Sequence, residues 1–487
     1  MMNILSWVTI EPIVMILVRS AQSERNILLE KFGLGVGLWI ESILLIYLFI
    51  KTMAKQSKIQ LVKGMKDILP DEQLLWDIIR NNVKSFAHSY GFSRIDTPIV
   101  EFTNLFKRTV GESTDIVSKE MYSFVAPGGD KLSLRPESTA SVVRSYIEHG
   151  MLNLPQPVKL FYIGPQFRHD KPQAGRYRQF WQFGFESIGS DEPVIDAQLI
   201  AISYKIVKEL GLDVEIQINS VGDKECRPQY IKVLKTYYQS YKKDLCKDCQ
   251  DRITKNTLRL LDCKNKRCQE LSDQAPQIVD HLSDSCKEHF MMVLEYLDEM
   301  DVVYNLNHKI VRGLDYYTRT AWEIMTIGDK GKLHAIGGGG RYDELVGMLG
   351  GRSTPAVGFA MGIERILLKL QEAKINFDKS KKYDVYVAQL GIEPRKKALK
   401  LFDDLRIAGF KVTADMSKKG LKDQMDIANK RNVPYTLILG QKEISDVTVL
   451  LRDMESGVQE VFDYKKIKTE LKKRLINQEV KIIKIKK

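Results

Sequence analysis

Cysteine is scarce in this chain, six residues in 487, and none of the six lies outside residues 189–300. That excludes a disulfide-stapled secreted scaffold, and no small-residue cleavage site marks the amino terminus for export. Acidic charge is also short, with 62 Asp and Glu against 74 Lys and Arg, a formal net charge of +12. The excess favours a polyanionic partner such as nucleic acid, although solvated lysines account for many basic proteins equally well. With 44% hydrophobic and 28% charged residues, wholesale disorder is excluded, and the length suits about three domains.

Long apolar runs occur only before residue 53, at 4–18 and 32–50, each interrupted by one acid, Glu11 and Glu41. The second reaches bilayer length marginally, and Lys51, Lys55 and Lys58 follow it as a cytoplasmic flank would. Two readings stand. The leader is a membrane tether on a soluble enzyme, with Glu41 costly at mid-span. Alternatively translation starts at Met53, whose MAKQSKIQLVKGMKDILP reads as a soluble amino terminus; this is preferred, because every later motif lies beyond it.

What the chain does have is a polar hairpin at 161–186, FYIGPQFRHDKPQAGRYRQFWQFGFE. Strand alternation puts Leu160, Tyr162, Gly164, Gln166 and Arg168 on one face, and Arg178, Phe180, Gln182, Gly184 and Glu186 on one face of the return strand. Polar Gln182 and acidic Glu186 flank the bare Gly184, leaving room for a flat ligand. The plainer reading is a surface hairpin with solvated charges.

Around it, Leu75, Ile79, Val83, Phe86 and Tyr90 form a helical stripe closed by Gly91, and GFSRIDTPIVEF reads as one strand whose Pro98 places it at an edge. A helix over 138–149 follows a short strand at 131–135. Glu137 and Thr139 at its start can cap it or hold a substrate ammonium. Further on, IVRGLDYYTRTAWEIM crowds Arg312, Asp315, Tyr316 and Tyr317 about a break at Gly313, an arrangement able to hold phosphate and a polar ring, or simply an aromatic strand with a salt bridge. GGGGRYDEL admits close ligand approach, and AVGFAMGIERILLKL leads a strand into a helix that carries Arg365. Cys246, Cys249, Cys263 and Cys268, spaced CKDC and DCKNKRC, resemble a structural zinc site, with reduced thiols in a helical insertion as the alternative. After residue 382 the pattern alternates strand and helix, a small α/β unit with a mixed sheet, and after Tyr464 a lysine-rich tail carries Leu471 and Leu475 as a terminal helix.

In order, GFSRIDTPIVE, FRHDKPQAGRYRQFWQFGFE and GFAMGIER resemble motifs 1, 2 and 3 of class II aminoacyl-tRNA synthetases. LRPEST, VRGLDYY and GGGGRYD narrow the resemblance to histidyl-tRNA synthetases over about residues 58–464. Ser138 and Glu344 stand where relatives often have glycine.

The resemblance implies an α+β fold: an antiparallel six-stranded sheet with flanking helices, a helical insertion about 225–300, and an α/β anticodon-binding domain. The implied division is a leader at 1–52, a catalytic domain at 53–375, the anticodon-binding domain at 376–464 and a basic tail at 465–487. It implies ATP-dependent activation of L-histidine and transfer to tRNA-His by a cytoplasmic homodimer, with Mg²⁺ on the phosphates and no protein-held metal in the catalytic site. Arg168 and Arg312 are the implied catalytic groups at the α-phosphate, and Arg365 joins them on ATP. Glu137, Thr139, Gln182, Glu186, Tyr316 and Tyr317 are implied to hold histidine, and the loop 170–177 to approach the tRNA acceptor end. The rival is a synthetase-like histidine sensor that regulates histidine biosynthesis. Such relatives typically lose the active-site motifs and the anticodon domain, whereas this chain keeps them.

Overall fold

A computed structural model describes residues 59–111, 114–311, 316–327, 333–375 and 383–485, the last helix from 477 as backbone only. The apolar leader and Arg312 lie outside these residues. Among the described residues no helix is long and apolar enough to cross a membrane.

The chain forms an eight-stranded sheet, ordered β1-β5-β6-β11-β10-β9-β7-β8. Its strands are β1 (Ser93–Arg94), β5 (Val158–Phe167), β6 (Gln179–Ile188), β7 (Val214–Ser220), β8 (Tyr304–Leu306), β9 (Thr318–Ile327), β10 (Leu333–Arg341) and β11 (Ala356–Gly362); β2 (Val100–Phe102), β3 (Ser123–Val125) and β4 (Lys131–Leu134) make a separate small sheet. The six central strands are antiparallel, as expected, and the short β1 and β8 extend them in parallel pairing. The expected single strand around Pro98 is instead β1 and β2. Proline cannot donate to a ladder, and the buried Arg135 guanidinium donates to the carbonyls of Thr97 at 2.8 Å and Pro98 at 3.4 Å.

One sheet face is greasy. Phe161, Ile163, Phe183, Phe185, Trp322, Ile324, Phe359 and Met361 alternate inward and pack on helices Gln73–Ser89, Pro193–Glu209 and Asp284–Glu299. Burial of this face is the main drive to fold, at roughly 1.5–3 kcal/mol per large side chain. A fully buried ion network pins the sheet to its helices. Arg341 Nη2 lies 2.6 Å from Asp196, whose other oxygen accepts from Thr320 at 2.8 Å and meets His289 at 2.7 Å.

The insertion has its own small core, in which Tyr230, Leu234, Tyr238, Leu260 and Leu271 surround four cysteines. Beyond residue 382 a second sheet, ordered β13-β12-β14-β15-β16, comprises β12 (Val385–Gln389), β13 (Val412–Thr413), β14 (Tyr435–Leu439), β15 (Thr448–Asp453) and β16 (Gln459–Asp463). It is mixed, parallel through β14 and antiparallel after it. The tail opens the helix Ile467–Ile485, whose Ile467 and Leu471 are buried in this second core.

Candidate functional site

The opposite face of the large sheet is rich in small residues. Register aligns Gly164 with Gln182 and Gly362, Tyr162 with Gly184, Ala360 and Gly338, and Leu160 with Glu186, Gly358 and Gly340. Side chains occupy the space over four of them, where an added Cβ would meet Arg135 at Gly164, Tyr162 at Gly184, Tyr317 at Gly340 and Glu186 at Gly358. Gly338, Ala360 and Gly362 line open space and lay a floor of backbone there. The glycine run divides its work: Gly338 belongs to the floor and Gly340 makes room for Tyr317. Gly337 and Gly339 face the greasy side, where an added Cβ would meet Met361 at 2.6 Å and Trp322 at 2.5 Å.

Above the floor is a cavity of about 470 Å³. Glu137, Thr139, Arg168, Gln182, Tyr316, Tyr317 and Arg365 all line it, so residues spread over more than two hundred positions converge. Of the other two expected residues, Arg312 lies outside the described residues. Glu186 is buried behind the wall, 1% exposed, with its carboxylate held by hydroxyls that donate from Thr139 at 2.8 Å and Tyr342 at 2.5 Å. Burial pushes the Glu186 carboxyl up to about 8, the Glu137 charge adds to this, and the two hydroxyls oppose it.

Charges of both signs share the cavity. Glu137 accepts from the backbone N–H groups of Thr139 at 2.6 Å and Ala140 at 2.9 Å, so it caps helix Thr139–Glu148 while facing the cavity. Burial raises its pKa despite those bonds. Beside it, Gln182 Oε1 and Tyr162 Oη are buried without a hydrogen-bond partner among the described residues. Such atoms await polar hydrogens from a ligand.

Close to Glu137, Arg168 donates from Nε to the Pro136 carbonyl at 2.9 Å and stacks over Phe180 at 5.5 Å. Arg365 donates to the Ala335 carbonyl at 2.7 Å from the first turn of helix Ile363–Glu372. Burial and then the like charges of Arg176 and Arg168 push Arg365 down to about 10. Guanidinium groups gathered on one cavity are arranged for a polyanion.

Tyr162 and Phe180, which strand alternation puts on the polar faces of the hairpin, also line the cavity, as do Tyr342, Glu323 and the insertion's Arg259 and Asp262, which the sequence did not single out. Tyr342 stood within GGGGRYD, where only the glycines attracted attention. Arg259 and Asp262 carried no local signal, because they arrive from a separate subdomain.

The family model described as histidyl-tRNA synthetase matches residues 64–366, more than half of the chain, and one described as anticodon binding domain matches 384–474. The histidine–tRNA ligase of Natranaerobius thermophilus is 45% identical over 399 residues, covering 82% of this chain and 94% of that protein. That of Dehalococcoides mccartyi strain BAV1 is 44% identical over 414 residues, covering 85% and 99%. The crystal structure of apo Staphylococcus aureus histidyl-tRNA synthetase superposes with a TM-score of 0.72 at 35% identity, over 85% of this chain and all of that one.

Proposed function

The chain belongs to the histidyl-tRNA synthetase family, and from that premise we propose how its own residues join L-histidine to tRNA-His. The observation that carries the reading is one cavity that gathers the Glu137 carboxylate, the orphaned Gln182 oxygen and the guanidinium groups of Arg168 and Arg365.

The histidine ammonium sits against Glu137, Gln182 and Thr139. The imidazole points toward Glu186, with Tyr316 and Tyr317 packed on it at ring separations of 4.8 Å from each other. A substrate lacking the ring nitrogens forfeits its polar bonds in this buried pocket, which is the source of selectivity. ATP places its α-phosphate at Arg168 and its γ end at Arg365, and Arg312, assigned by the family motif, steadies the α-phosphate from the other side.

The histidine carboxylate oxygen attacks the α-phosphorus as the bond to pyrophosphate breaks. No protein nucleophile is needed, because fixed charges and alignment lower the barrier. The terminal ribose hydroxyl of tRNA then attacks the acyl carbon and AMP leaves. Mg²⁺ carried in on the phosphates would offset their charge.

The unit built on β12–β16 contacts the anticodon stem, and the loop 170–177 approaches the acceptor end. Val100 and Phe102 on β2, with Phe124 and Val125 on β3, form an exposed apolar patch, which supports a homodimer through this small sheet. Six free cysteines suit the reducing cytoplasm. The test is charging of tRNA-His with labelled histidine. Acceptance of histidine at the 3′ end supports the whole scheme, and adenylate formation without transfer removes its second half.

A further inference from the structure

The four clustered cysteines of the insertion do something that the synthetase reaction does not call for. Cys246, Cys249, Cys263 and Cys268 bring their sulfurs within 4.8 Å of one another, and Cys246 Sγ lies 3.9 Å from Cys263 Sγ. A tetrahedral zinc with bonds of about 2.3 Å to four thiolates requires sulfur–sulfur edges of about 3.8 Å. All four thiols are free, so the spacing is not that of disulfides.

The backbone around them is built for thiolates. Cys246 is the N-cap of helix Lys247–Lys255 and Cys249 its third residue; Cys268 is the third residue of helix Lys266–Asp273. Two helix amino termini therefore converge on the cluster, where their dipoles favour negative sulfur. Backbone amides reach the same sulfurs, from Cys246 to Cys268 Sγ at 3.4 Å and from Asn265 to Cys263 Sγ at 3.5 Å. Lys247, Lys264, Lys266 and Arg267, all exposed, interleave the four positions and offset the charge of a tetrathiolate complex. By contrast, Asp223, Cys226 and Cys286 also lie close together, but Arg319 sits 3.7 Å from the Asp223 carboxylate, where a cation would be repelled.

We propose that these four cysteines bind one Zn²⁺, which closes the segment between the two pairs into a rigid wall of the catalytic cavity. That segment carries Arg252, paired with Asp115 at 3.7 Å, and Arg259 and Asp262, which line the cavity. A subdomain of this size has little core to order it by itself, and a metal supplies what hydrophobic burial lacks.

The test uses the full chain purified under reducing conditions without chelator. Elemental analysis is expected to find one zinc per chain, and the metal-stripped protein to take up one Co²⁺ with the intense visible absorption of tetrahedral thiolate ligation. Cys263→Ser loses the metal, whereas Cys268→His retains one equivalent with an altered cobalt spectrum. Less than a tenth of an equivalent of zinc with no cobalt uptake by the wild-type chain overturns the proposal. So does full zinc occupancy in folded Cys263→Ser. Should that variant not fold, the wild-type titration decides alone.

Discussion

Glu186→Gln separates what the site costs the fold from what it gives the substrate. The carboxyl titrates at about 8 in the folded chain against 4.5 for the ordinary group. Between those values the folded chain keeps a proton that the unfolded chain has released. The stability associated with Glu186 is therefore full below pH 4.5 and falls as pH rises through 8. At pH 8.5 the loss is on the order of 4 kcal/mol, at 1.36 kcal/mol for each tenfold change in proton affinity. Glutamine is neutral at every pH and keeps an oxygen for the Thr139 or Tyr342 hydroxyl, at a sacrifice of about 1 kcal/mol in mismatched bonding. The ligand-free variant should accordingly be more stable than the wild type by on the order of 3 kcal/mol at pH 8.5, with little gain at pH 5. At pH 8.5, where the wild-type carboxyl is ionised, it should bind histidine at least about tenfold more weakly, since a hydrogen bond to a charged acceptor contributes about 1.5–3 kcal/mol. Urea midpoints at the two pH values and calorimetric titration with histidine measure both effects. A variant that follows the wild-type pH dependence, or one that binds histidine unchanged, would refute the reasoning.

Gly358→Ala places a Cβ 1.6 Å from Glu186 Oε2 and 2.8 Å from the Phe185 carbonyl. It should cost about 1–3 kcal/mol of stability by overpacking and weaken histidine more than ATP in equilibrium binding. Asp196→Asn breaks the buried pair with Arg341 and should destabilise the chain by roughly 3–5 kcal/mol in urea unfolding. Although burial pushes Asp196 up, Arg341 and His289 hold it below the ordinary carboxylate range. Its contribution is present above the unfolded pKa and is lost as pH falls through the lower folded one, so the variant should also show a shallower loss of stability in acid.

Much of this architecture was legible in residue order, because the relevant signals are local. Alternation along 160–168 and 178–186 gave the hairpin and its polar face, although the room expected over Gly184 for a flat ligand is taken by the Tyr162 ring. Pro98 signalled an edge, but that it would divide the segment into β1 and β2 depended on Arg135, some forty residues away, taking the neighbouring carbonyls. The exposed β16 lacks an apolar alternation to announce it. Within the site, the resemblance of the ordered motifs named seven residues that line the cavity, yet nothing in the sequence reveals that Glu186 is roofed by Tyr342 and Thr139. Nor could spacing show that Arg259 and Asp262 reach the cavity, since that contact depends on how two separately folded cores meet.

The central claim is that the carboxylates and arginines gathered on this cavity make histidyl adenylate, and ATP–pyrophosphate exchange in the absence of tRNA measures it most directly. Exchange should depend on L-histidine and fall by at least about a hundredfold in Arg168→Ala and Arg312→Ala, the range expected when charge stabilising a transition state is removed. Histidine binding without exchange in the wild-type chain would contradict the account and leave a histidine sensor in its place.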